Sequence, residues 1–72
     1  MEDKNTILEM ADSLEKTGEV RITDGIKEIF IQVYEEDETL FFSGSNEFDS
    51  AVDAVEWAVN ELGGVENIEE WE

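Results

Sequence analysis

From Glu28 to Glu72 the chain carries fourteen acidic residues and not one lysine or arginine. All four cations, Lys4, Lys16, Arg21 and Lys27, lie in the first 27 residues beside seven acids, so the 72-residue chain has a formal net charge of −17. Such a stretch has no internal counter-charge, and its self-repulsion must be tolerated or relieved from outside. Only a chain with a real apolar core folds against that repulsion. This one is 40% hydrophobic and 10% aromatic, lacks proline and shows clear apolar periodicity, which predicts a folded domain rather than disorder. Its length permits one domain, residues 1 to 72, burying only ~60% of the surface of its unfolded chain.

Several function classes are excluded or disfavoured at once. With no cysteine or histidine there is no disulfide, no thiolate metal site and no imidazole base. A serine nucleophile among Ser13, Ser43, Ser45 and Ser50 therefore lacks its usual partner, and paired carboxylates need a cleft that a chain this short rarely encloses. The expectation is a protein that is not an enzyme and needs no cofactor. The run Glu35-Glu36-Asp37-Glu38 offers oxygen ligands without the glycine and spacing of a calcium loop, so no metal site is expected. The longest apolar runs, Ile29 to Ile31 and Leu40 to Phe42, are far below the ~20 residues of a membrane span. The acidic start at Met1-Glu2-Asp3 is unlike a secretory signal, so a cytoplasmic protein is expected, repelled by nucleic acid and anionic membranes.

Ile7, Met10, Ala11 and Leu14 recur at helical spacing and predict a helix over 5 to 17, with a capping box of Thr6 and Glu9, Asn5 as a competing cap, and Gly18 closing it. Alternation at Val20 and Ile22, then at Ile29, Ile31 and Val33, predicts strands within 19 to 44. A four-residue connection, Asp24 to Lys27, pairs Ile22 with Ile29 and Val20 with Ile31 and puts all four on one face. The same reasoning pairs Val33 with Leu40 and Ile31 with Phe42 across a tight acidic turn. The opposite face would carry Arg21, Phe30, Gln32, Tyr34 and Phe41, an aromatic surface outside the reach of the helices.

Phe48, Val52, Val55, Val59 and Leu62 form one stripe and predict an amphipathic helix over 48 to 62, capped by Asn46 or Asp49 and ended by Gly63-Gly64. Ala51, Ala54 and Ala58 line one flank, suited to close helix contact, and Asp49, Asp53 and Glu56 the other. Trp57 projects away from the stripe, where the tail, 65 to 72, would cover it as a short helical turn through Ile68 or Trp71. The predicted fold is α+β: helix, three-stranded antiparallel meander, helix and acidic tail, with the helices on one sheet face.

Solubility needs a net charge of magnitude ~2 to 8, and −17 overshoots it. A basic surface built for nucleic acid would supply a reason. Asp49, Asp53 and Glu56 space three carboxylates along ~10 Å of helix, comparable with a phosphate about every 3.4 Å of a DNA strand. Glu35, Glu36, Asp37, Glu38, Glu66, Glu69 and Glu70 add candidate ionic contacts. Trp57, Phe30, Tyr34, Phe41 and Trp71 are candidate apolar anchors, or equally a strand surface and a small satellite core.

In element order and acidity, residues 5 to 72 resemble the small acidic inhibitors with which phages and mobile elements block host defence by imitating DNA. The layout is similar to one anti-CRISPR group that occupies the motif-reading groove of an RNA-guided nuclease; no signature motif carries the resemblance. It implies an anti-CRISPR or anti-restriction type of inhibitor, working in the host cytoplasm, whose acids at Glu35 to Glu38 and Glu66 to Glu72 meet nucleic-acid-reading arginines. Two other readings stand beside it: an acidic adaptor without mimicry, and a protein adapted to concentrated salt. The aromatic sheet face also suits a homodimer.

Overall fold

The structure is a computed structural model that describes residues 2 to 35 and 37 to 72, leaving out the side chains of residues 2 to 4. Helix α1 (Glu2–Thr17) leads into strands β1 (Glu19–Thr23), β2 (Glu28–Glu35), β3 (Thr39–Ser43) and β4 (Asn46–Phe48). Helix α2 (Ala51–Glu61), a 3₁₀ turn (Val65–Asn67) and strand β5 (Glu70–Trp71) follow. The sheet is antiparallel throughout, in the order β4-β3-β2-β1-β5. The α+β class is as expected, with five strands where three were predicted.

The first hairpin has the predicted register, Val20 opposite Ile31 and Ile22 opposite Ile29. Its connection is an Asx turn. The Asp24 carboxylate accepts from the backbone N–H groups of Ile26 and Lys27 at 2.8 and 2.7 Å, while the Thr23 hydroxyl accepts from Gly25 N–H.

The second hairpin differs from expectation by one residue. Val33 faces Phe41, Gln32 faces Phe42 and Tyr34 faces Leu40, with a three-residue connection after the pair Glu35 and Thr39. The predicted pairing would have needed a two-residue turn at Glu36-Asp37, and such turns favour glycine or asparagine at positive φ. A one-residue slip exchanges faces. Phe41 therefore enters the core, and Leu40 and Phe42 join Phe30 and Tyr34 outside.

The unpredicted β4 lets Phe48 pair with Phe41 instead of opening a helix. Helix α2 starts three residues later than expected because Ser50, rather than Asn46 or Asp49, caps it by accepting from Asp53 N–H at 3.1 Å. It closes as foreseen, in a Schellman motif: Gly64 N–H donates to the Val59 carbonyl and Gly63 N–H to that of Asn60. Helix α1 begins at Glu2, so Thr6 and Asn5 lie inside it and the capping box is not used. No glycine or proline stands between residues 2 and 6 to stop it. Gly18, at φ +89°, ends it, donating to the Leu14 carbonyl.

The tail is a strand and not a helical turn. Arg21 and Glu72 exchange backbone hydrogen bonds at 2.8 and 2.9 Å, and Glu69 N–H donates to Thr23 O. Pairing with β1 satisfies an edge that would otherwise be bare, and it sets Trp71 opposite Ile22 rather than over Trp57.

The core lies between the helices and one sheet face. Met10, Leu14, Val20, Ile22, Ile31 and Val55 are fully buried there, with Phe41 and the alanine flank of α2. Strand residues of the other parity, Phe30 and Tyr34 among them, remain exposed. Thus both helices cover the same face.

Candidate functional site

The uncovered face is built by alternation. On β2 it presents Glu28, Phe30, Gln32 and Tyr34, on β3 Leu40 and Phe42, on β4 Glu47, on β1 Glu19 and Arg21, on β5 Glu70, and just past β5 Glu72. Phe30 is 46% and Tyr34 58% exposed. Tyr34 meets Phe42 edge to face, with ring centroids 5.9 Å apart. Two shallow depressions share this pair. One, of about 320 Å³, adds Gln32 and Gly44, and the other adds Leu40 with Asp37 and Glu38 of the acidic turn. The aromatic centre therefore grades directly into carboxylates.

Arg21 is the sole cationic strand residue and is occupied. Its guanidinium donates to Glu72 at 2.7 Å and Glu28 at 3.2 Å. The Glu72 hydrogen bond, then the Glu28 charge, raises its pKa above the usual value, so it stays charged throughout the accessible range. Every described carboxylate except Asp24 is exposed, and ion pairs reach only Asp12, Glu28 and Glu72. The backbone N–H groups of Lys27 and Ile26 hold the Asp24 carboxyl below its usual range.

The fold separates the predicted acids. Glu35, Asp37, Glu38, Asp49 and Asp53 collect at the end of the sheet where β2 turns into β3 and α2 begins. Glu69 and Glu70 lie at the other end, near the Asp24 to Lys27 turn, with Glu69 beside Gly25, and Glu66 stands in the 3₁₀ turn that leads there. Strand β2 spans about 24 Å, roughly three Debye lengths at physiological salt, so the two groups act as distinct patches. Asp53 and Glu56 are exposed on α2, but Asp49 precedes the Ser50 cap, so the expected row of three carboxylates along the helix does not form; Glu36 lies outside the described residues.

The predicted aromatic anchors divide likewise. Trp57 is half-buried against Phe48, ring centroids 5.4 Å apart, so Phe48 and not the tail covers it. Trp71 packs on the core edge beside Ile22. Phe41, 3% exposed, drops out of the surface, while Phe42, Leu40 and Glu47 enter it. Sequence reasoning missed Leu40 and Phe42 because the run Leu40-Phe41-Phe42 is apolar in both registers, and Glu47 because β4 was not predicted. The missing glycine in the acidic turn was the signal that could have chosen between the two registers.

Among the described residues no three acidic side chains gather as a metal-holding group, and no helix is long and apolar enough to cross a membrane. No protein family matches the chain, nor does any curated protein or solved structure.

Proposed function

We propose that this chain is an inhibitor that binds a basic, nucleic-acid-binding surface of another protein in place of DNA. The observation that carries the reading is the surplus of exposed, unpaired carboxylates, surrounding a domain with an intact apolar core. Lysines and arginines placed for phosphates would meet exposed carboxylates instead, and the chain's own repulsion would fall on contact. Affinity would decline with salt.

The test is a pull-down from a bacterial lysate at ~0.1 M salt with and without excess duplex DNA. Recovery of a nucleic-acid enzyme that DNA displaces, and that a Glu35→Lys, Asp37→Lys, Glu38→Lys variant fails to recover, supports the reading. Partners indifferent to DNA refute mimicry and leave an acidic adaptor. One observation favours a second reading, adaptation to concentrated salt: carboxylates occupy both helices, both sheet ends and the outer face. That reading requires a chain unfolded at 0.1 M salt and folded near molar salt, whereas the inhibitor folds in both.

A further inference from the structure

We infer that the helix-free sheet face is an arginine-reading surface: it docks an arginine-rich segment of the partner protein by stacking guanidinium planes on Phe30, Tyr34 and Phe42 while the surrounding carboxylates pair with them. The inference rests on the reading that the chain binds a basic protein, and it names the site and the chemistry it selects.

Three features favour this occupant. First, the face has an apolar centre where a sheet in water is ordinarily polar: Tyr34, Leu40 and Phe42 cluster across β2 and β3, and Phe30 follows on β2 beyond Gln32, opposite Arg21 and in a second depression with Glu72. Second, its rim is anionic: Glu47 stands opposite Phe42 on β4, Glu28 lies on β2, and Asp37 and Glu38 border the depression that holds Tyr34 and Phe42. Aromatic faces beside carboxylates suit a guanidinium, which stacks through its plane and pairs through its edge at once; an ammonium has no plane to stack. Third, Arg21 on this same face already shows the ionic half of the pattern, bridging Glu28 and Glu72. A second copy is a poor occupant. Two such faces would bring rims of like charge together, on chains each at −17.

The probes are a nona-arginine and a nona-lysine peptide, equal in length and charge, titrated onto the whole chain at ~0.15 M salt by calorimetry and amide NMR. Nona-arginine should bind about tenfold more tightly, since planar stacking with simultaneous edge pairing, open to a guanidinium and not to an ammonium, contributes a few-fold at each of two or more rings. Shifts should centre on β2 and β3. Phe30→Thr with Tyr34→Thr keeps strand propensity and removes only exposed rings, so the fold should persist by circular dichroism while the arginine preference falls to within twofold. Leu8→Thr, on an exposed position of α1, should leave the preference unchanged. An arginine preference that survives Phe30→Thr with Tyr34→Thr, equal binding of the two peptides to the unaltered chain, or shifts confined to α2 would each overturn the assignment while leaving the binding of basic proteins intact. Failure of both peptides to bind would instead refute the parent reading. Concentration-dependent dimerisation in sedimentation, lost in Phe30→Thr with Tyr34→Thr, would transfer the face to a second copy.

Discussion

The one-residue register of the second hairpin can be tested by the unequal cost of truncating two neighbouring phenylalanines. Phe41 is 3% exposed, between Val33 on one side and Phe48 on the other, whereas Phe42 sits on the outer face against Tyr34. Phe41→Ala removes a ring that buries ~200 Å² and leaves a cavity, a loss of about 3–5 kcal/mol. A domain of this size has only about 4–11 kcal/mol in total, so the variant should sit at the margin of folding. Phe42→Ala loses an edge-to-face contact and some strand propensity, about 1–2 kcal/mol. Urea unfolding followed by circular dichroism gives both values, with the melting temperature as a second reading. Phe41→Ala should lower it by at least ~12 °C. If Phe42→Ala proves as costly as Phe41→Ala, the chain pairs Val33 with Leu40 and the outer face loses two of its apolar residues.

Trp57→Ala should cost about 2–3 kcal/mol of stability through its lost packing on Phe48, measured by urea unfolding; an unchanged midpoint would return Trp57 to the role of a free binding anchor. Gly63→Ala should cost about 1–3 kcal/mol by the same assay, because Gly63 sits at φ +99° and a methyl group there collides with the Asn67 side-chain amide. Asp24→Ala should lower the melting temperature at neutral pH. Because the folded-state pKa of Asp24 lies below its ordinary 3.8, that contribution is present above 3.8 and is lost as pH falls through the folded value. The gap between Asp24→Ala and the unaltered chain should therefore narrow in acid, and a gap independent of pH would contradict the Asx turn.

Legibility in the sequence followed how many alternatives each residue pattern left. The α1 stripe and the pairing of Val20 and Ile22 with Ile31 and Ile29 were readable because a one-residue slip splits the apolar set between faces. The Leu40-Phe41-Phe42 run carried no such information, since either parity buries something apolar. Phe48 was ambiguous in another way: its spacing to Val52 matches a helix, yet its burial comes from Phe41 and Trp57 across β4. Trp71 could not be placed locally at all. Its position depends on the empty edge of β1, fifty residues earlier in the chain, which only the assembled sheet reveals. For the candidate site, the exposed aromatics Phe30 and Tyr34 were legible by alternation, while the split of the acids between two ends needed the topology.

The acidic surface and the open aromatic face constrain each other. A five-stranded sheet with an apolar centre on its bare face and short edge strands, three residues in β4 and two in β5, invites pairing between copies. Here those edges carry Glu47, Glu70 and Glu72, and the bare face is bordered by carboxylates. Approach of another copy brings like charges together before the rings can meet, at a distance set by the Debye length, about 8 Å in physiological salt. A cationic partner experiences the reverse: attraction at long range, then stacking at contact. On the proposed reading, the same residues thus discourage self-association and favour a cationic partner. This also gives the excess of charge beyond solubility a physical role, because a smaller net charge would leave the aromatic face open to its own kind.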